Sequence, residues 1–418
     1  DNIVLAGGAT QSGFGRTGTV DWQTTPKTAT FTAVSGEGYF ANTSGGAFNM
    51  NLPAGVAGAI VSVADYGATF QTNNLTVVPN GTDKIGAVNA NATLSTEGQS
   101  VTFVFVDSTQ GWINTMDSTS NARGGSFITA CGGTPTTSGD YKIHAFTGPG
   151  TFTVSSLASS PANNIVEYLI VGGGGGGGSA NSNSPGGGGA GAGGWRSYSA
   201  LACASPLNAP AGITVSAQAY PIVIGGGGAT GGLSSPGSSG VNTTALGLTS
   251  TGGGFGAQTS PTNGGPGGSG GGTGGRPAAT AGNGNTPPVS PSQGFPGGST
   301  PTGTNAGGGG GAAEAGQNAP GPNAGGGGDG SFVVDGFIGP TAPNYGTPGP
   351  VGSTRYFAGG GGGGAPVGSS GPGGAGGGGE GNNTTAATIN TGGGGSGNWN
   401  NIGGNGGSGI VMIRYKFQ

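Results

Sequence analysis

Short stretches in which apolar and polar residues alternate recur through the first part of the chain, each closed by residues that favour turns. Ile60-Val61-Ser62-Val63, Leu75-Thr76-Val77-Val78, Val101-Thr102-Phe103-Val104-Phe105-Val106 and Phe152-Thr153-Val154 carry the alternation of a strand with one face on a core. Asn73-Asn74, Asn80-Gly81 and Thr96-Glu97-Gly98 punctuate them. No stretch shows the helical period of about 3.6 residues. The pattern predicts an all-β N-terminal region with essentially no α-helix.

A second pattern begins at Ile165–Val171, an apolar strand-like run that feeds directly into the seven glycines Gly172–Gly178. Similar runs return at Gly186–Gly189, Gly225–Gly228, Gly252–Gly254, Gly307–Gly311, Gly325–Gly328, Gly359–Gly364, Gly376–Gly379 and Gly392–Gly395, and the series closes on the apolar run Ile410–Phe417. Glycine runs bury no side chain and lose the most backbone entropy on folding, so alone they read as linker. Two flanking strands that can pair change this reading. Bare glycine backbone clamped between them satisfies its polar groups in the polyproline II conformation, whose N–H and C=O groups point outward and, with no Cβ in the way, bond to neighbouring helices.

The expected architecture is a bundle of polyproline-II/polyglycine-II helices on a β base. Its parts are a connecting segment at 1–26, a β domain at 27–118, a linker at 119–126, strands leading into the tip at 127–171, and the glycine bundle at 172–418 with its closing strand at 410–417.

Composition narrows the function classes. Glycine supplies 108 of 418 residues and only 6% are charged, too few for an ordinary solvated disordered chain. The net charge of −4 gives no basic field for nucleic acid, and no apolar run is long enough to span a bilayer, so neither nucleic-acid binding nor membrane insertion is expected. The first residue is Asp1, and the opening residues show no signal-peptide pattern, so the chain reads as trimmed or as numbered from within a longer one. Cys131 and Cys203 are too few for a disulfide framework and read as small buried apolar residues; whether they pair stays open. His144, the one histidine, reads as a half-exposed strand residue with no partner for a triad or a zinc site. No cofactor is implied. Beyond Val171 the acids are Glu314, Asp329, Asp335 and Glu380. Asp329 and Asp335 read as a solvated loop pair, not as the facing carboxylates of a glycosidase.

Several motifs in order carry a resemblance: Phe31-Thr32-Ala33-Val34, Gly38-Tyr39-Phe40, Asn51-Leu52-Pro53, Asp65-Tyr66-Gly67, Asn73–Val77, Asn80-Gly81, and Val106-Asp107 closing on Gly111-Trp112. They resemble the β domain of structural and tail-fibre proteins of marine bacteriophages, cyanophages among them. From Phe127 onward, Val166–Val171, Tyr220–Gly228, Asn390-Thr391 and Gly403–Tyr415 are similar to the glycine-rich domain that ends many such fibres. The weaker likeness of the glycine blocks is to the polyglycine-helix sandwich of a phage tail-fibre adhesin, whose loops touch the host receptor. Arg276–Thr304 and Ser331–Arg355 fit none of these patterns and are expected, as long loops, to return toward the base and pack along its sides.

The resemblance implies a non-enzymatic virion fibre protein, with a host cell-surface glycan or outer-membrane protein and other virion proteins as partners, and a homotrimeric state. A fibre decorating the head or baseplate without a specific receptor is the alternative. An ice-binding protein comes third and would need regular short turns and a flat Thr- or Ala-lined face. If Ile410–Phe417 runs antiparallel to Ile165–Val171, the bundle holds an even number of rods. The turns far from the strands are then Ser179–Pro185, Leu233–Pro236, Ala257–Asn263, Ala312–Ala324, Ala365–Pro372 and Asn398–Ile402. Gln317, Asn318, Asn323 and Trp399 are the candidate receptor-binding residues there, with Phe295 and Tyr345 as alternatives should the count be off by one. Phe255, Phe337 and Tyr356 are further turn aromatics, and Tyr356 reads as a cover for the bundle.

Overall fold

The computed structural model describes residues 20–118, 127–202, 205–258, 263–351 and 354–418. The chain divides into two compact units between Gly124 and Gly125. The expected linker at 119–126, most of the connecting segment and Cys203 lie outside the described residues.

The first unit contains β1 (Asp21–Lys27), β2 (Phe31–Thr32), β3 (Glu37–Ala41), β4 (Phe48–Asn51), β5 (Ile60–Asp65), β6 (Leu75–Val78), β7 (Ala92–Leu94), β8 (Ser100–Phe105) and β9 (Trp112–Ser118). β1 lies inside the stretch read as a connecting segment and forms the edge of a sheet ordered β1-β3-β5-β8-β9; the other sheet runs β2-β4-β6-β7. From β1 to β6 the chain shuttles between the sheets at every strand, so neighbours in a sheet are there two strands apart in sequence. β1, β3 and β5 are therefore parallel, as are β2, β4 and β6. Parallel neighbours need a crossover, and here a strand of the opposite sheet supplies it. Alternation sends Val61, Val63, Val101 and Phe103 from one sheet, and Met50, Leu75 and Val77 from the other, into a shared core with Trp112. Full burial of each such side chain is worth roughly 1.5–3 kcal/mol.

The second unit opens with β10 (Thr129–Cys131), β11 (Thr134–Ser138), β12 (Tyr141–Phe146), β13 (Gly150–Ser156), β14 (Ile165–Val171), β15 (Trp195–Tyr198), β16 (Ile213–Thr214), β17 (Ala219–Ile222), β18 (Thr243–Ala245) and β19 (Leu248–Ser250). It continues with β20 (Ser331–Val333), the four-residue helix α1 (Asp335–Ile338), β21 (Thr347–Pro348), β22 (Arg355–Phe357) and β23 (Ile410–Lys416). The base sheet is ordered β11-β12-β23-β14-β15, with β16 also on β14. β14 and β23 pair antiparallel, Val171 opposite Ile410 and Glu167 opposite Arg414. Both strands are apolar almost throughout because both their faces are covered. Val166, Tyr168, Ile170, Val411 and Ile413 enter one core, while Leu169, Val171, Ile410 and Met412 enter another. The second core is closed by Val333, Phe337, Ile338 and Ala342, so the 331–357 insertion packs against the base.

Above this base stands an ordered array of extended glycine rods. In the first rod, Gly172 and Gly175 donate to Gly194 and Gly191, Gly173 and Gly176 to Val241 and Ser238, and Gly174 and Gly177 to Gly407 and Gly404, at 2.9–3.0 Å. Each partner recurs every third residue, the repeat of the polyproline II helix. These three partner rods run antiparallel to the first. Three more run parallel to it and donate back: Gly228 to Gly174, Gly253 to Gly173 and Gly395 to Gly175. The central rod thus has six neighbours, which take up the N–H groups of Gly172–Gly177 and the carbonyls of Gly173–Gly176.

Two long stretches differ from expectation. Arg276–Thr304 does not simply fold back along the base: Gly275 donates to Gly186 and Gly186 to Thr304 at the far end, while Trp195 donates to Gln293 O (2.8 Å) at the strands. The stretch is therefore two rods and a turn. Ala312–Ala324 is not one far turn either. Ala312 is buried in the core that holds Leu169 and Val171 and donates to Ala358 O, and only the other end of the segment reaches the far side. The physical reason is common to both. A rod needs glycine only where a neighbouring backbone presses on it, so Pro, Asn, Ala and Phe fill the outward positions and glycine runs undercount the rods.

Candidate functional site

The far end of the bundle is a field of polar turns stapled to one another through amide side chains. Ser179 N donates to Ser235 O (3.2 Å) and Asn181 Nδ2 to Ser234 Oγ (2.9 Å). Thr230 N donates to Asn405 Oδ1 (2.8 Å) and Ser369 N to Asn323 Oδ1 (3.1 Å). Asn382 ties three segments together: its Oδ1 accepts from Ala365 N (3.2 Å) and Trp399 N (3.0 Å), and its Nδ2 donates to Ala365 O (2.8 Å). Asn382 has φ +56, a left-handed conformation that asparagine tolerates and the turn requires.

Of the candidate residues, Asn323 and Trp399 belong to this field, Asn323 exposed and Trp399 half-buried. Asn318 is exposed, and its Oδ1 accepts from Ser299 N (2.8 Å) and Ser299 Oγ (3.0 Å). Gln317 is exposed one step lower, on a rod, its backbone bonded to Gly326 and Gly308. The alternatives lie elsewhere. Phe295 is half-buried in a rod between Gly311 and Gly270, and Tyr345 packs on the core beside the base strands, with Arg355 Nε donating to its carbonyl (2.7 Å). Phe337 is fully buried and Tyr356 is 7% exposed, so neither faces a ligand. Leu233, Val367 and Ile402 were not among the candidates, yet they expose 60%, 64% and 40% of their surface on far turns. Their signal is legible afterwards: an isolated apolar residue within a Gly/Ser/Pro/Asn turn has no strand face to bury.

The expectations for chemistry divide. His144 is not half-exposed but buried, because it occupies an inward position of β12 beneath Phe152 and Tyr415. Gly132 O can only accept, so the Nδ1 facing it at 2.6 Å carries the proton and Nε2 accepts from the Tyr415 hydroxyl at 3.2 Å. Burial lowers the His144 pKa from its usual value and pushes Tyr415 up to about 12. Cys131 is exposed, contrary to expectation: Ala130 takes the inward position on β10 and alternation turns Cys131 outward. Asp329 is a staple, its Oδ1 accepting from Ala375 N (2.8 Å). Among the described residues no group of three His, Cys, Asp or Glu side chains could hold a metal ion, and no helix is long and apolar enough to cross a membrane.

The fold defines the class: a bundle of glycine rods closed by two paired strands, one entering and one leaving at the same end. The glycine-rich domain family matches residues 146–416, from the end of β12 through β23, and the chain belongs to that family. No curated protein matches it.

Proposed function

We propose that the chain is a non-enzymatic fibre protein on the exterior of a virion, most consistent with a tail-fibre tip that recognises a host cell-surface glycan or outer-membrane protein. The observation that carries this reading is the polarity of the bundle: apolar strands seal one end, and the other presents a rigid field of Asn, Ser, Thr and Pro turns with Trp399, Leu233, Val367 and Ile402 among them. Rods whose backbone groups are already bonded hold such turns at little further entropic cost, which is the condition for preorganised recognition. Homotrimeric assembly and contacts with other virion proteins belong to the same proposal. Neither nucleic acid nor a bilayer is a partner in it.

A head- or baseplate-decorating fibre without a specific receptor is the second reading. It is favoured by the engagement of Asn318 and Asn323 in turn-to-turn bonds, which leaves their amides partly committed. Binding of the purified chain to marine bacterial cells and to their extracted surface polysaccharide tests the first reading. Saturable binding reduced by Trp399→Ala together with Leu233→Ser supports the tip assignment. A folded chain that binds none of a broad panel favours the decorating fibre, and electron microscopy of labelled particles then locates it. Release of oligosaccharides from the polysaccharide would overturn the non-enzymatic reading, and Asp329 and Asp335 would be the first residues to replace.

A further inference from the structure

At the end of the base sheet remote from the glycine rods, β12 begins at Tyr141, β14 begins at Ile165 and β23 ends at Lys416. A cleft of about 200 Å³ opens there, with Tyr141, Asn163, Glu167, Tyr198 and Tyr415 in its lining and Ala200 at its rim. Glu167 of its lining belongs to an unusual pair for a β protein so poor in charge. Arg414 Nη1 lies 2.7 Å from Glu167 Oε1, with the two side chains only 4% and 8% exposed. The Tyr141 ring covers the guanidinium, whose carbon lies 3.5 Å from the ring centroid. Ser199 Oγ donates to the other carboxylate oxygen at 3.1 Å.

Such a pair is a poor device for stability, because replacing a buried ion pair by apolar residues of similar size is often neutral or stabilising. Its geometry suits a ligand better. An ionised carboxylate has about four lone-pair sites. Arg414 and Ser199 occupy one site on each oxygen, leaving an acceptor position on both. Tyr141 and Tyr198 line the cleft, and the Asn163 side-chain amide, on the single turn Pro161–Asn163, offers both a donor and an acceptor at the rim. Lys416 also lines the cleft, with its Nζ 5.5 Å from the Phe127 ring centroid.

We propose that this cleft binds a single pyranose residue, two adjacent hydroxyls donating to the Glu167 carboxylate and one face of the ring lying against tyrosine. A volume below the roughly 300–1,000 Å³ of sites for larger ligands limits it to one ring. Aromatic faces suit the C–H side of a sugar while a carboxylate and an amide take its hydroxyls. The site is independent of the far-end turns, and either assignment can fail without the other.

Saturation-transfer NMR on the full chain, with methyl glycosides of a hexose, a 6-deoxyhexose and an N-acetylhexosamine, provides the test. Transfer to ring protons of at least one glycoside is expected at about 10 mM, the range of a weak single-residue site. Ala200→Trp places a large ring at the exposed rim without touching either core and should abolish the transfer. Asn163→Ala should weaken it at least severalfold, and Trp399→Ala should leave it unchanged. Absence of transfer from every glycoside would overturn the proposal. So would transfer that survives Ala200→Trp in a variant whose melting temperature is unaltered.

Discussion

At Gly361 and at Gly226 the same residue type lives under opposite constraints. A Cβ at Gly361 would be driven into the carbonyl of Gly395, backbone that has nowhere to move, whereas a Cβ at Gly226 meets nothing within 4 Å. Gly361→Ala is therefore expected to cost about 3 kcal/mol or more, the range of overpacking into rigid surroundings, and Gly361→Val more still. Gly226→Ala should be neutral or stabilising by up to about 1 kcal/mol, through the lower entropy of the unfolded chain. Urea denaturation of both variants decides it: equal losses would mean that the rods are not packed backbone to backbone. His144 makes a second prediction at this scale. Its folded pKa is lowered by burial from the ordinary 6.5, so between the two values the unfolded chain binds more protons. The stability it confers is complete above about pH 6.5 and falls as the pH drops below that value, levelling off once the folded pKa is passed. Because the chain has one histidine, a loss of stability between about pH 7.5 and pH 5.5 that His144→Asn removes would identify it. A wild-type profile that is flat or rises on acidification would refute the assignment.

Elements were legible in the sequence wherever one face or both faces of a strand had to be buried. Ile60–Asp65, Leu75–Val78, Ser100–Phe105 and Ile165–Val171 all follow from alternation or from an unbroken apolar run. Partnership was not legible, because alternation says which face is inward and nothing about which strand lies alongside. The parallel order of β1, β3 and β5 and the insertion of the last strand, β23, between β12 and β14 are set by the whole core. The number of rods was hidden for a different reason: outward positions tolerate any residue, so Gly294–Gly298 belongs to a rod although Phe295 and Pro296 interrupt its glycines. The far turns were located in part through the even rod count, whereas the amide staples of Asn382 and Asn405 depend on contacts between distant turns and left no local mark. Across β14 and β23 the buried pair Glu167–Arg414 makes a prediction of its own. Glu167→Ala strands an unpaired buried guanidinium and should cost about 3–5 kcal/mol, while Glu167→Leu with Arg414→Met should come close to wild type. A double variant as unstable as the single one would show that the pair itself holds the strands together.

For the whole molecule, the two units use different sources of stability. The first buries Val, Leu, Phe and Trp side chains between two sheets. In the second, the rods bury mainly peptide groups that bond to one another, and apolar side chains are concentrated where the strands form the base. Heat capacity separates these sources, because exposing apolar surface on unfolding raises it by about 0.45 cal/K/mol per Å² while exposing polar surface lowers it by about 0.26. Unfolding the rods exposes N–H, C=O and little else besides Cα, so their contribution should be small or negative. Calorimetry of the full chain, summed over all its transitions, is therefore expected to give a heat-capacity increment well below the usual 12–15 cal/mol/K or so per residue, with an enthalpy that varies less steeply with temperature than in an ordinary β protein. An increment within the ordinary range would mean that the glycine region is stabilised by apolar burial after all, and the hydrogen-bonded lattice would lose its place as the source of the bundle's rigidity.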